Sequence, residues 1–597
     1  MKRRKKELGL FCVLGMEKRH LAKIQLYETL MIAVISIGGG LLIGILFSKL
    51  ILLLLFKLVH LDVPFGFHIS PMAMILTALL FGAIFLLTLL TNLIRVGRAK
   101  PIELLRGGQV GQKEPKTKWL LAIVGVLALG AGYTIAIVVQ SPLDAIFFFF
   151  VAVLLVILGT YCLFTAGSIV LLKLLRRRKG YYYRTKHFIS VSGMIYRMKQ
   201  NAVGLANICI LSTMVLVTVS TTVALYAGME DILTSRYPHD ISVTLVGEEE
   251  GLLDETTLTA DTQTVRQAAE IQGMPITYLA GYQKLSFTMN REGDDFTAAG
   301  DNFIQSKKPV LLFITAGQYE KLTGEKVELA EDEVLCYSSR KELGDSFRLL
   351  GQNYRVKEHL ESFPIGKDYV SWVERHCFVV ADDAVFQGIY AQEKEAYPGE
   401  YSSPGAQIDL DLEGTDEQIL ACYYKISEAV ADATTETGTY IEEDGIESEY
   451  TYSTAFTECR QAAAADFYQL YGGFLFLGIF LGLLFLMATI LIIYYKQITE
   501  GYDDKERFAI MQQVGMSRAE VKSAIRSQVL TVFFLPLIAA GIHIVFAFSI
   551  ITKLLAVLNL TNIALFVWCS VGTIAVFALV YGIVYALTAR AYYRIVS

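Results

Sequence analysis

Eight runs of about 20 mostly apolar residues set the limits on what this chain can fold into. A helix of that length crosses the hydrocarbon core of a bilayer with its backbone polar groups satisfied internally. The runs lie at residues 30–56, 71–94, 119–139, 145–172, 203–227, 467–494, 529–552 and 563–587. Composition agrees: 54% of the 597 residues are hydrophobic and 19% are charged, which argues against an ordinary soluble protein.

Basic residues orient the spans. Segments 2–23, 95–118, 173–199 and 496–526 are rich in Lys and Arg, as is the tail with Arg590 and Arg594, whereas turns such as QSPLD at 140–144 carry almost none. Basic flanks stay cytoplasmic, so both termini are expected inside a plasma membrane. The opening KRRKK leads into a charged amphipathic stretch rather than the short apolar core of a cleavable signal. Insertion by uncleaved spans is the expectation.

Residues 229–466, between the fifth and sixth spans, are polar and by the same rule lie outside. They hold 46 Asp and Glu against 18 Lys and Arg, an asymmetry that the overall net charge of −5 conceals. The acid excess has two readings: solubility of an exposed domain, or attraction of cationic peptides, which salt would weaken. Apolar strands such as ISVTLV (241–246), PVLLFIT (309–315) and HCFVVAD (376–382) interleave with helical stretches such as TDEQILACYYKISEAVADA (415–433). That pattern predicts a mixed α/β domain, large enough to bury its own core. Cys336, Cys377, Cys422 and Cys459 fall within it, where disulfides are permitted. Their spacing matches no metal signature and leaves the connectivity open.

The chain states one motif twice, as ELGLFCVLGMEKRHLAK (7–23) and as ERFAIMQQVGMSRAEVK (506–522). Aligning Gly15 with Gly515 pairs Leu10 with Ile510, Leu14 with Val514, Met16 with Met516 and Lys18 with Arg518. Each copy predicts an amphipathic helix, a glycine able to end it in the left-handed conformation, and a second helix running into a span. Ser517 with Glu520 has the capping-box spacing, and the first copy offers Glu17 as an acid for the first helical turn. A single basic amphipathic segment would simply rest on anionic headgroups. Two copies leading into equivalent spans suggest duplicated halves, common in transport-type membrane proteins.

These elbows resemble the coupling elements of the FtsX-like permease family of ABC systems, and among them the BceB-type bacitracin-resistance permeases. The resemblance rests on KRRKKELGLFCVLGMEKRH, AKPIELLRGGQVG (99–111), IYRMKQNAVGLANICILSTMVL (195–216), GMEDILTSRYPHDI (228–241) and RAYYRIV (590–596). It implies an α-helical polytopic membrane protein with duplicated FtsX-like halves and one large extracellular domain. Its partners would be two copies of a separate ABC ATPase, which carries the ATP and Mg, a membrane histidine kinase, a peptide antibiotic and a lipid-linked cell-wall precursor. Membrane lipid surrounds it, and nucleic acid is not expected. It places ATPase coupling on Glu7, Leu10, Leu14, Gly15, Met16, Lys18 and Arg19, and on Glu506, Ile510, Val514, Gly515, Met516, Ser517, Arg518 and Glu520. No peptide-binding residue is assigned.

The expected layout is coupling helices at 1–29, an N-terminally incomplete first half at 30–94, a cytoplasmic loop at 95–118, linking spans at 119–172 and a basic loop at 173–202. A span at 203–228, the outer domain at 229–466, a span at 467–494, coupling helices at 495–528 and the last two spans with the tail at 529–597 follow. BceB-type permeases are implied to have ten spans, two of them before the first coupling element. Met1 is therefore expected to match an internal position of the family pattern.

Catalytic, cofactor and metal residues are not expected. There is no GxxxxGK[ST] phosphate loop, no HExxH and no GxSxG. EEDGIESE at 442–449 lacks the ligand order of a calcium loop. FFFF at 147–150 reads as bulk within a span, and RRRK at 176–179 as a juxtamembrane anchor with a lipid-contact alternative. His543 sits in an apolar span, where an ionisable group is suspect by default; a neutral packed histidine is the expectation. Two other functions remain open: a peptide-sensing scaffold for a histidine kinase without transport, and a lipoprotein-release or cell-division regulator of the wider family.

Overall fold

The computed structural model describes residues 7, 10–11, 13–59, 70–98, 118–182, 185–245, 255–298, 308–340, 342–365, 374–396, 403–441, 447–513, 515 and 517–596. The stretch 99–111 and most of the acidic run at 442–449 lie outside them. Among the described residues, eight helices are long and apolar enough to cross a membrane, as the sequence predicts.

The first helices are α1 (Lys18–Leu58), α2 (Pro71–Arg98), α3 (Trp119–Val138) and α4 (Pro142–Cys162), the last continuing through a π turn into α5 (Ser168–Arg177). A short α6 (Lys179–Tyr182) precedes α7 (Thr185–Ala227). Packing divides the chain into two units, residues 1–119 with 165–202, and residues 120–164 with 203–597. In the first unit α1 packs on α2, and the Lys18 ammonium donates to the Gly97 carbonyl at 2.8 Å. Leucines on the surface of α1, such as Leu42 and Leu46, are exposed. That suits helices whose solvent is lipid.

The second unit holds the polar domain. It runs α8 (Met229–Arg236), β1 (Ile241–Leu245), α9 (Glu255–Ile271), β2 (Ile276–Glu292), β3 (Asp295–Ala298), β4 (Val310–Thr315) and α10 (Ala316–Thr323). Then come β5 (Glu333–Ser338), β6 (Ser346–Leu349), β7 (Gln352–His359), β8 (Arg375–Val380), α11 (Asp383–Ala396), β9 (Ser403–Leu412) and α12 (Asp416–Ala433). A hairpin of β10 (Thr435–Ile441) and β11 (Glu447–Ser453) leads to β12 (Ala455–Cys459). The domain is mixed α/β, as expected.

Its sheet order, β12-β1-β9-β2-β3-β6-β7-β5-β8-β4, hides a closure that the sequence does not announce, because β4 returns to pair with β2. The long β2 makes this possible: its first part pairs with β9 from Ile276↔Leu412 to Ser286↔Ser403, and its end pairs with β4 and β3. The strands from β2 round to β4 form a small barrel filled by Phe287, Met289, Phe296, Phe313, Phe347 and Phe378. Closure leaves these strands no open edge. Below it, β12, β1, β9 and the start of β2 carry α9 and α12 over a core of Val243, Val265, Ile408, Leu410, Ile419 and Ile426. A capping box starts α12, with Thr415 and Gln418 exchanging side-chain bonds to each other's backbone N–H.

From β12 the chain passes directly into α13 (Arg460–Gln513), followed by α14 (Arg518–Val557) and α15 (Ile563–Val596). The sixth span is thus part of one 54-residue helix, and the helical segment ahead of the second elbow is its end rather than a separate short helix.

Candidate functional site

The first elbow has the geometry its sequence implies. Leu10, Phe11 and Val13 are helical, Gly15 takes φ +95°, and the Met16 N–H donates to the Phe11 carbonyl at 3.0 Å. That bond, reaching back five residues across a left-handed glycine, satisfies a carbonyl at the helix end. Glu17 is the N-cap of α1, not a first-turn residue, and its side chain makes no cap bond. Its carbonyl instead accepts from the His20 and Leu21 N–H groups at 3.0 and 3.4 Å. The expected acid in the first turn is therefore displaced by one position.

The second elbow has the same left-handed glycine. Gly515 takes φ +106° between the end of α13 at Gln513 and the start of α14 at Arg518. At neither glycine would an added Cβ meet anything within 4 Å. Backbone conformation, not space, is what requires glycine here. Leu10, Val13, Leu14 and Ile510 are exposed, Leu14 by 72%, so each elbow presents an apolar side. Glu7, Lys18, Arg19 and Ser517 are also exposed, and Met16 is half-buried. Val514 and Met516 lie outside the described residues, as do the side chains of Glu506, Arg518 and Glu520.

Above Gly515, α13 is clamped by α15. The Tyr592 hydroxyl, fully buried, donates to the buried Asp504 carboxylate at 2.6 Å. A Cβ on Gly501 would lie 3.2 Å from the Tyr592 ring. Higher up, α13 crosses α7 closely: Gly478 faces Thr222, and Gly482 faces Val219. Glycines four apart let two helix backbones approach within the membrane.

At its head, α13 is tied to the domain by a polar knot around Asp240. The Arg460 guanidinium forms an ion pair with the Asp240 carboxylate, and the Arg460 N–H donates to the Asp240 carbonyl at 2.9 Å. Gln461 donates to the same carboxylate at 3.0 Å, as does the Leu412 N–H. Asp240 N–H donates to Asp411 at 2.9 Å; Asp411 also binds His239 Nδ1 at 2.9 Å. His239 stacks on Tyr278 with ring centroids 4.8 Å apart. Nearby, Asp409 accepts from Ser242 at 2.7 Å and from Tyr282 at 3.0 Å. Both chain crossings between spans and domain, before β1 and after β12, enter this one knot.

Its electrostatics are coupled. Burial opposes charge on His239, but the Asp411 hydrogen bond and the Asp409 and Asp411 charges outweigh it and raise its pKa above the ordinary value. Burial likewise disfavours the Asp411 carboxylate, yet His239, the Asp240 N–H and Arg460 together hold its pKa below the ordinary range.

His543 is buried, and both ring nitrogens have hydroxyl partners, Tyr133 at 2.6 Å and Thr160 at 3.1 Å. It joins α14 to α3 and α4, the role of a packed histidine. Among the described residues no group of three or more His, Cys, Asp or Glu could hold a metal ion.

The sequence alone singled out the elbows and quoted Tyr592 within RAYYRIV and His239 with Asp240 within GMEDILTSRYPHDI, but did not assemble the knot. Its bonded members lie up to 221 residues apart.

Residues 1–101 match the FtsX-like permease C-terminal family. Over most of its length the chain is similar to ABC transporter permeases of Bacillus subtilis strain 168. It is 24% identical to the uncharacterized permease YvcS, over 92% of this chain and 81% of that one. It is 24% identical to the ABC transporter permease protein YxdM, over 97% and 85%, and 23% identical to the bacitracin export permease protein BceB, over 92% and 81%.

Proposed function

We propose that this chain, a relative of ABC transporter permeases carrying an FtsX-like permease domain, is the membrane subunit of a system that turns ATP hydrolysis in a partner into motion of its outer domain. The motion removes or exports antimicrobial peptides of the bacitracin class acting on lipid-linked cell-wall intermediates. The domain lies outside, the elbows at Gly15 and Gly515 meet the ATPase inside, and a histidine kinase reads the resulting activity.

What supports this reading is α13. It runs unbroken for 54 residues, roughly 80 Å at 1.5 Å per residue, from the Asp240 knot to the Gly515 elbow. A helix clamped at both ends transmits displacement along its axis, because its backbone hydrogen bonds leave no soft joint between them. Work done at Gly515 therefore arrives at Arg460, beside β1 and β9.

The test combines peptide resistance and kinase output in cells whose partner ATPase is catalytically dead. Loss of resistance is the expected outcome. Resistance that survives without hydrolysis would remove the coupling role and leave a sensing scaffold.

A further inference from the structure

Of the domain's four cysteines, two pairings are suggested by proximity, and the sheet excludes one. Cys336 on β5 and Cys377 on β8 sit on adjacent antiparallel strands, but the register sets Cys336 opposite Phe378 and Cys377 opposite Tyr337. An offset of one residue sends the side chains to opposite faces. Cys336 accordingly lies inside the barrel, and Cys377 lies under α10 on its outer face. No bond can pass through the sheet between them.

Cys422 and Cys459 differ. Both belong to the one core beneath α9 and α12, exposed by only 1% and 3%. Cys422 is on the buried face of α12, the helix that packs on β12 and α9. Its neighbour Tyr423 donates to the Thr457 carbonyl at 3.5 Å, which brings this turn of α12 to the last residues of β12. Both are free, buried thiols in this structure. Cys459 also sits immediately before Arg460, where the Gln461 and Ala462 N–H groups are directed at its sulfur. Burial raises the pKa of both thiols in the folded domain, and at Cys459 these two N–H groups offset part of that rise.

We infer that Cys422 and Cys459 form a disulfide that staples α12 to the head of α13. The bond rests on the proposal that the domain lies outside, in an oxidising compartment. It forms by exchange with a low-molecular-weight disulfide before α12 closes over β12. The Cys459 thiolate attacks one sulfur of the small disulfide and releases one thiol. The Cys422 thiolate then attacks the Cys459 sulfur of the mixed disulfide and releases the second. Two protein thiols are oxidised, the small disulfide is reduced to two thiols, and these carry away both protons. The product fixes the end of the sheet to the helix that leaves it, so displacement of Arg460 moves α12 and the sheet as one body.

The experiment uses the full chain in intact cells. Free thiols are acid-quenched and alkylated, and unreduced protein is digested and mapped by mass spectrometry. Expected is a peptide pair joining Cys422 to Cys459 that separates on reduction, with Cys336 and Cys377 alkylated. In Cys422→Ala the pair vanishes and Cys459 becomes alkylated. A Lys326→Cys variant, at a position whose side chain is 71% exposed, reports sidedness with a membrane-impermeant maleimide. If that maleimide reacts from outside while Cys422 and Cys459 are both fully alkylated, the disulfide inference is overturned. If the maleimide cannot reach Lys326→Cys, it is the outside placement that fails. Purified protein equilibrated with oxidised glutathione in mild denaturant then decides the pairing: a Cys422–Cys459 link supports it, and only single glutathione adducts overturn it.

Discussion

The Tyr592 hydroxyl donates to the Asp504 carboxylate at 2.6 Å, both groups buried between α15 and α13, eleven residues ahead of Gly515. A hydrogen bond to a buried charge contributes about 1.5–3 kcal/mol. Tyr592→Phe keeps the ring against Gly501 and deletes only the hydroxyl. The purified protein should lose about that much stability in thermal unfolding, and ATP hydrolysis by the partner should be less tightly tied to peptide resistance. An unchanged melting midpoint would mean that Asp504 is held well enough by its other neighbours.

At the elbows the cost is conformational. Gly15 and Gly515 hold φ +95° and +106° with open space where a Cβ would stand. Valine there meets no clash with neighbours and still costs roughly 1–2 kcal/mol, because its own Cβ disfavours positive φ. The backbone relieves this by reorienting the turn. Gly515→Val should therefore reduce co-purification of the ATPase at normal expression, and Gly15→Val should do the same. Full peptide resistance in both variants would dissociate the elbows from coupling.

The knot predicts a pH dependence with a definite sign. His239 has a raised pKa in the folded protein, so its contribution is complete below its ordinary value of about 6.5 and is lost as pH rises through the folded value. Asp411 has a lowered pKa, so its contribution is complete above its ordinary value of about 3.9 and is lost as pH falls through the folded value. Stability from this pair is greatest between those limits and declines above about pH 6.5. In His239→Gln the alkaline decline in melting midpoint should flatten. A slope identical to that of the parent protein would assign the decline to other groups.

How much of this was legible depended on how local the physics is. The spans could be read because lipid demands about 20 apolar residues in one continuous run. The elbows could be read because a left-handed turn is met by one residue type, and two glycines stand in matching surroundings. The knot could not: Asp240, Asp411 and Arg460 each look like an ordinary solvated charge, and only β1 pairing with both β9 and β12 brings them together. The barrel was hidden for a related reason. Its closure depends on β2 changing partners midway, from β9 to β4 and β3, and no residue in ITYLAGYQKLSFTMNRE marks that change.

The register of β2 and β9 offers a way to separate the barrel from its mount. Ser286 and Ser403 are antiparallel partners at the point where β2 leaves β9. Cross-strand partners lie about 5 Å apart, so replacing residues 287–402 with a two-residue Asn-Gly turn should join them without moving either strand. The excision removes the barrel, whereas β12, β1, β9, the start of β2, α9 and α12 keep their shared core. Leu285, which points into the barrel core, loses its cover and is best changed to Thr. The Asp240–Arg460 pair and α13 remain, so membrane insertion and ATPase association should persist, since insertion depends on the spans and their flanking charges. Peptide binding should fall to background if the barrel is the receptor. Binding that survives excision would place recognition on the mount or the spans rather than on the barrel.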